Sequence, residues 1–174
     1  MKQDSKNRGF SVIELVLVIG IIVVIGAFTL PNLLGRKSVN DLTNVVNQMS
    51  ITLREAQSRA ISQSGGVEWG VRFDNGNPPY FAMFSTPIYD STTRAIYNRL
   101  PQGIGYVTST LDVNASISVI FNQITGRPSQ PIFLILYITR GGFPSSTIGT
   151  VAVATSGAVT AKPPLPPGQE SYED

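Results

Sequence analysis

Residues 8–36 read RGFSVIELVLVIGIIVVIGAFTLPNLLGR, a basic residue and a glycine followed by a long apolar run. Between Arg8 and Arg36 the only charged residue is Glu14, near the start of that run. A charge inside a membrane-length apolar helix costs on the order of 2.5–3.5 kcal/mol at the bilayer centre and less near an edge. A segment that served only as an anchor would lose nothing by lacking this carboxylate. Glu14 therefore suggests a specific polar partner, most simply the N-terminal amine of another copy.

The apolar run is predicted to be a transmembrane helix over residues 10–34. At 1.5 Å per residue it would be about 37 Å long, enough to cross a bilayer of ~30 Å. An ordinary secretory signal has a shorter apolar core with its cleavage site behind it, whereas the candidate cut here precedes the run. The basic leader, residues 1–9, should stay in the cytoplasm, which places the chain after Arg36 outside.

The pattern Gly9-Phe10-Ser11-x-x-Glu14 after a basic leader, with a proline near the far end of the apolar helix, resembles the class III signal peptide of type IV pilins and type II secretion pseudopilins. The resemblance implies cleavage after Gly9 and N-methylation of Phe10 by a prepilin peptidase. It also implies that Glu14 pairs with the amine of Phe10 in a neighbouring subunit. Because two helices packed in the wrong register would leave the carboxylate without its partner, Glu14 should determine the register of packing between subunits more than their overall stability. The alternative is a simple signal anchor whose carboxylate snorkels toward the headgroups.

The helical pattern continues after the apolar run and predicts an amphipathic helix over residues 35–64. Pro31 should kink this continuous helix, although it could instead end one helix and leave Asn32 to cap a second. Gly65 or Gly66 is expected to terminate the helix in the left-handed conformation. One face carries apolar residues at steps of four and three: Leu42, Val46, Met49, Leu53, Ala56 and Ala60. This stripe could be a coiled-coil seam, but its short length favours a groove face for a sheet.

After Gly66 the period changes to two, which predicts a β-sheet domain over residues 65–161 and hence an α+β fold: a helical spine against an antiparallel sheet. The strands are expected at residues 67–73, 80–84, 105–110, 116–122, 132–139, 149–155 and 158–161. Asp74-Asn75-Gly76 reads as a hairpin turn, with the opening of a calcium loop as the alternative. Residues 87–101 show no clear period and are expected to form a long connection. The acidic, proline-rich residues 162–174 are expected to be a disordered tail.

The composition excludes much chemistry, since the chain has no histidine and no cysteine. His-dependent triads, thiol nucleophiles, the usual zinc and copper sites and disulfides are therefore absent, and we expect no enzyme activity, no metal and no cofactor. Without residues 1–9 the chain has 13 − 3 = 10 basic and 11 − 1 = 10 acidic residues. A near-neutral domain makes nucleic acid an unlikely partner, although Arg54 with Arg59, or Arg94 with Arg99, could cluster in space.

Three further segments resemble the H-type minor pseudopilin of type II secretion and the FimT-like minor pilins. They are the helix end at residues 53–61, Val119-Ile120-Phe121 with Gly126-Arg127-Pro128, and a closing hairpin around Ser156-Gly157. The acidic tail departs from the basic C-terminus tied to DNA capture in FimT-like proteins. The resemblance implies a structural subunit of a type IV pilus or type II secretion pseudopilus, with a DNA-binding minor pilin as the alternative.

The implied partners are prepilin peptidase/methyltransferase, other pilin or pseudopilin subunits, an inner-membrane assembly platform and the inner membrane itself. The implied location is the bacterial inner membrane, as a single-pass protein with its N-terminus in the cytoplasm. A periplasmic or extracellular filament would follow.

Overall fold

The computed structural model of the chain describes residues 11–85, 89–90, 92–140 and 143–165, and for residues 27–36, 140 and 143–144 it describes the backbone alone. The predictions for the leader, for Gly9 and Phe10, and for residues 166–174 of the tail lie outside the described residues. The chain divides into two units, Met1–Lys37 and Ser38–Asp174.

A single α-helix, α1, runs from Val12–Ile61 and belongs to both units. The backbone stays helical through Pro31, so α1 does not break there, and the kink at this residue stays a prediction. Within the described residues, no helix is both long and apolar enough to cross a membrane. Phe10 and the side chains of residues 27–34, which belong to the predicted transmembrane segment, lie outside that description.

The β domain contains two four-stranded antiparallel sheets. In the first sheet the strand order is β3-β2-β1-β5, formed by β1 (Trp69–Asp74), β2 (Tyr80–Phe84), β3 (Arg94–Arg99) and β5 (Ser116–Phe121). In the second the order is β4-β6-β7-β8, formed by β4 (Ile104–Tyr106), β6 (Ile132–Arg140), β7 (Phe143–Val153) and β8 (Val159–Lys162). The predicted α+β fold is confirmed, with two sheets where the sequence indicated one.

The prediction that residues 87–101 form a long connection without a strand was wrong, because β3 occupies Arg94–Arg99. Its pairing with β2 matches Met83 to Ile96 and then Phe84 to Arg94, so the register skips Ala95. A skipped residue of this kind is a β-bulge, which turns two successive side chains away from strict alternation. Because of this bulge and the exposed arginines, β3 lacks the alternation of apolar and polar residues by which the other strands were predicted.

The predicted apolar stripe of α1 is confirmed as the face that packs on the β domain. All six of its residues are fully buried, and they share one core with residues of both sheets such as Phe73, Phe121, Leu134 and Val151. Fully burying a large apolar side chain is worth roughly 1.5–3 kcal/mol, so this face holds the second half of α1 to the strands. The coiled-coil alternative is not needed to account for the stripe.

Both ends of the β domain differ slightly from the prediction. The helix ends at Ile61, and Gln63 is the first left-handed residue at φ 53°, ahead of Gly65 at φ 72°. The amide of Ile124 donates to the carbonyl of Ala60 at 3.3 Å, which supplies a partner for one of the last helical carbonyls. At the other end β8 continues to Lys162, one residue beyond the predicted boundary.

Candidate functional site

Apart from the carboxylate of Glu14, the first described turns of α1 form a helix surface that is apolar all round. The amides of Glu14 and Leu15 donate to the carbonyl of Ser11 at 3.0 and 3.2 Å, which starts the helix. The exposed fraction of the large apolar side chains here runs from 45% at Val18 to 79% at Val12. These side chains are Val12, Ile13, Leu15, Val16, Leu17, Val18, Ile19, Ile21, Ile22, Val23, Val24 and Ile25. We call residues 12–25 the apolar helix segment.

An exposed apolar helix surface of this kind is normally buried against protein or lipid. Monomeric soluble proteins rarely expose contiguous apolar patches above a few hundred Å², and a helix that is apolar all round belongs in a protein core or in lipid. The second half of α1 differs, because its apolar residues are buried except for isolated side chains such as Ile51, which is 62% exposed. The same helix therefore carries one half that packs on the β domain and one half whose apolar side chains are exposed.

Glu14 lies exposed in the first turn of α1, within the apolar helix segment. A carboxylate in a first turn interacts favourably with the helix dipole by typically 0.3–1 kcal/mol. That gain is smaller than the cost of carrying a charge to the bilayer centre, so the dipole alone does not explain an acid in this segment. Its predicted partner, the amine of Phe10 in a second copy, lies outside the described residues.

The amide of Gln57 joins the three segments that resemble minor pseudopilins. Its Nε2 donates to the carbonyl of Gly126 in the turn after β5 and to the carbonyl of Gly157 in the turn after β7, both at 2.9 Å. The two glycines have φ of +62° and +90°, and a Cβ at Gly157 would lie 2.6 Å from that Nε2. Sequence reasoning identified the segments but missed Gln57, whose only signal was its position beside the buried stripe.

Of the two arginine pairs considered from the sequence, the structure brings one together. The guanidinium of Arg59 pairs with Glu55 at 2.6 Å and lies 4.6 Å from the centre of the Trp69 ring, while Arg54 donates to the carbonyl of Val159 at 3.4 Å. Those two arginines thus have separate structural partners. Arg94 and Arg99, in contrast, both lie against Tyr97, with guanidinium carbons 4.7 and 5.8 Å from its ring centre.

Further aromatic side chains lie on the same sheet face and contact one another. The rings of Tyr80 and Tyr97 have centres 4.9 Å apart, and the guanidinium of Arg72 lies 4.7 Å from the centre of the Tyr89 ring. Burial, together with the hydrogen bond to Tyr89, raises the pKa of the Tyr80 hydroxyl to about 12. Tyr80 therefore stays neutral at physiological pH, and its ring packs against the ring of Tyr97.

Asp74 fits the hairpin interpretation of Asp74-Asn75-Gly76. Its Oδ1 accepts the amide of Gly76 at 2.9 Å, which is an Asx turn, and its Oδ2 lies 3.4 Å from Nη2 of Arg72. Across the part of the chain that the structure describes, no three His, Cys, Asp or Glu residues come together as a possible metal site.

The fold is α+β and contains one long helix. The first half of this helix is apolar and exposed, and its second half packs on the β domain. This is the architecture that the resemblance to pilins and pseudopilins implies. The chain is similar to the solved minor pseudopilin EpsH from the Type 2 Secretion System of Vibrio cholerae, with 15% identity and a TM-score of 0.48. The alignment covers 74% of this chain and 99% of that chain.

No protein-family model matches the sequence. No curated protein matches it either.

Proposed function

We propose that the chain is a structural, non-enzymatic subunit of a pilin-like filament, in the manner of a minor pseudopilin or minor pilin. The observation that carries the proposal is the apolar helix segment, which is exposed on every side and continuous with a helix anchored in its own β domain. In a filament, the corresponding segments of other subunits would cover it. Before assembly, lipid would do so.

The N-terminal sequence supports a particular route to that filament. The precursor would be a single-pass protein of the bacterial inner membrane, with residues 10–34 in the bilayer and the β domain outside. Prepilin peptidase would cut after Gly9 and methylate Phe10, and the assembly platform would then extract the subunit into a periplasmic or extracellular filament. Glu14 would pair with the Phe10 amine of a neighbouring subunit and so fix the register of packing.

Capture of DNA is the second candidate, and the clustering of Arg94 and Arg99 beside the exposed ring of Tyr97 is what favours it. Residues 38–174 nevertheless carry 13 − 5 = 8 basic and 11 − 2 = 9 acidic residues, so these arginines stand in a domain that is close to neutral. Nonspecific binding of duplex DNA normally requires several phosphate contacts on one basic surface. The charge balance therefore supports the structural role.

Polar substitutions in the apolar helix segment test the proposal. In the variant Leu17→Ser with Ile21→Ser, we expect the amount of the chain in a purified filament fraction to fall at least about tenfold, because each change removes roughly 1.5–3 kcal/mol of apolar burial. The matched control is Ile51→Ser, which alters an exposed apolar residue in the domain half of the same helix. Normal incorporation of the double variant would contradict the proposal, as would an equal loss in the control.

A further inference from the structure

The turn that follows β5 holds an isoleucine in a strained conformation. Ile124 has φ of 67°, a region that residues branched at Cβ rarely occupy. The amide of Thr125 donates to the carbonyl of Gln123 at 2.7 Å, so Ile124 is the central residue of a γ-turn, in the rare form with positive φ. Its side chain is nevertheless 69% exposed. Burial within its own domain therefore does little to offset the strain.

Contacts with the end of α1 hold the turn in this shape. The amide of Ile124 donates to the carbonyl of Ala60 at 3.3 Å, and the carbonyl of Gly126 accepts a hydrogen bond from Gln57 at 2.9 Å. Ile61 lies against the same turn, because its Cδ1 is 2.7 Å from where a Cβ on Gly126 would lie, and it is 49% exposed. The turn therefore presents Ile124 beside a second exposed isoleucine.

The turn that precedes β5 also presents an exposed apolar side chain. Val113 is 66% exposed, and the exposed Asp112 is next to it. Asn75 fixes this turn, since its Nδ2 donates to the carbonyls of Leu111 and Asp112 at 2.8 and 3.2 Å. The turn after β5 carries the opposite charge on the exposed Arg127. Within the described part of the chain, neither the carboxylate of Asp112 nor the guanidinium of Arg127 forms an ion pair.

The two turns are complementary and lie at opposite ends of one strand. β5 contains six residues, so its ends are roughly 20 Å apart and a single copy cannot join its own two turns. We propose that the turn before β5 of one copy binds the turn after β5 of a second copy. Val113 packs on Ile124 and Ile61, and the carboxylate of Asp112 pairs with the guanidinium of Arg127.

A second copy is the partner that fits this arrangement, because the chain itself carries both halves of the contact. The two halves are different surfaces, so each copy binds one neighbour through the first turn and another through the second. Such heterologous contacts build rings or open filaments. The contact is small and rests on the proposed function for its setting, in which helix packing already brings subunits together at high local concentration.

Cysteine cross-linking of the full chain tests the contact, and the absence of native cysteines leaves no background. Two differently tagged copies are produced in the same cells, one with Val113→Cys and the other with Ile124→Cys, and are treated with a short bismaleimide. We expect a cross-linked dimer that contains both tags. The matched control replaces Ile124→Cys with Ile148→Cys, an exposed isoleucine of the second sheet. Equal yields from the two pairs would overturn the proposal, as would the absence of a dimer with both tags.

Charge reversal tests the proposed ion pair. Asp112→Arg in the Val113→Cys copy should lower the yield about fivefold, because two cations then face each other across the contact. Adding Arg127→Asp to the Ile124→Cys copy should restore the yield, whereas Asp41→Arg in place of Asp112→Arg should leave it unchanged. An unchanged yield with Asp112→Arg, or no recovery when both charges are exchanged, would refute the pairing of these two residues.

The strain at Ile124 gives an independent prediction. Ile124→Asn places in the turn a residue that tolerates positive φ, and it removes the apolar side chain. In urea unfolding of the full chain in detergent, followed through Trp69, the midpoint should stay the same or rise. The cross-link between Val113→Cys and Ile61→Cys should meanwhile fall about fivefold, because the apolar contact is lost. A lower midpoint would show that Ile124 serves the fold of its own domain, and an unchanged yield would show that it lies outside the contact.

Incorporation into the filament is measured in the same cells, for these copies and for a tagged chain without substitutions. Copies that are incorporated but do not cross-link would refute this contact and leave the proposed function standing. If the unsubstituted chain is not incorporated, the proposed function fails and this contact fails with it.

Discussion

Glu14→Ala is expected to abolish incorporation of the chain into a filament, with a fall of at least about tenfold, while cleavage after Gly9 continues. A carboxylate in the apolar helix segment is unfavourable in lipid unless a cation meets it, and its removal makes insertion into the membrane easier rather than harder. Loss of assembly in a better membrane helix would therefore show that the charge acts between subunits. The measurement is the amount of processed chain in the filament and membrane fractions.

Two controls sharpen this experiment. Glu14→Gln keeps the shape of the side chain without the charge and should fail as Glu14→Ala does, whereas Glu68→Ala alters a partly buried carboxylate of the β domain and should assemble normally. A signal anchor with a snorkelling carboxylate makes the opposite prediction, because there the uncharged variants behave as the wild type. Wild-type incorporation of Glu14→Ala would therefore contradict the register argument.

Gly149→Ala is expected to lower the free energy of unfolding of the β domain by about 1–3 kcal/mol, as overpacking of a filled core does. A Cβ at this position in β7 would lie 2.6 Å from Cγ2 of Val46. Val46 is fully buried and branched at Cβ, so it has few other rotamers to adopt, and Leu42 and Pro164 close the remaining space. The strand would have to move away from α1. Urea unfolding followed through the single tryptophan, Trp69, measures the change.

A second substitution tests the proposed clash. Val46→Ala leaves a cavity and should itself cost about 2 kcal/mol, yet the double variant with Gly149→Ala should be more stable than the sum of the two changes by about 1 kcal/mol or more. Gly20→Ala serves as the control, because an added Cβ there meets no atom within 4 Å. Strict additivity of the two changes would show that Val46 does not limit the space at Gly149.

The elements that sequence reasoning predicted best have a regular period and a buried face. The stripe from Leu42 to Ala60 repeats at helical spacing, and all of it is buried against strands. Most of the predicted strands are present, and Tyr80–Phe84 has the predicted bounds. Hydrophobic periodicity reflects which face of a helix or strand is buried, so it predicts an element correctly wherever one face of that element packs on the core.

The features that were missed depend on contacts between distant residues. β3 is an exposed edge strand with a bulge, so nothing in Arg94–Arg99 distinguishes core from solvent. Gln57 bonds two glycine carbonyls 69 and 100 residues away, and an amide on a helix gives no local sign of such partners. The division of the strands into two sheets likewise follows from pairing between distant segments, which strand periodicity does not encode.

The measurement that tests the central claim most directly is the intact mass of the protein from cells with and without prepilin peptidase. If the chain is a pilin-class subunit, the mass falls by residues 1–9 and rises by one methyl group on Phe10, only when the peptidase is present. A precursor that keeps residues 1–9 in both strains would contradict this account, and the apolar helix segment would then be a membrane anchor.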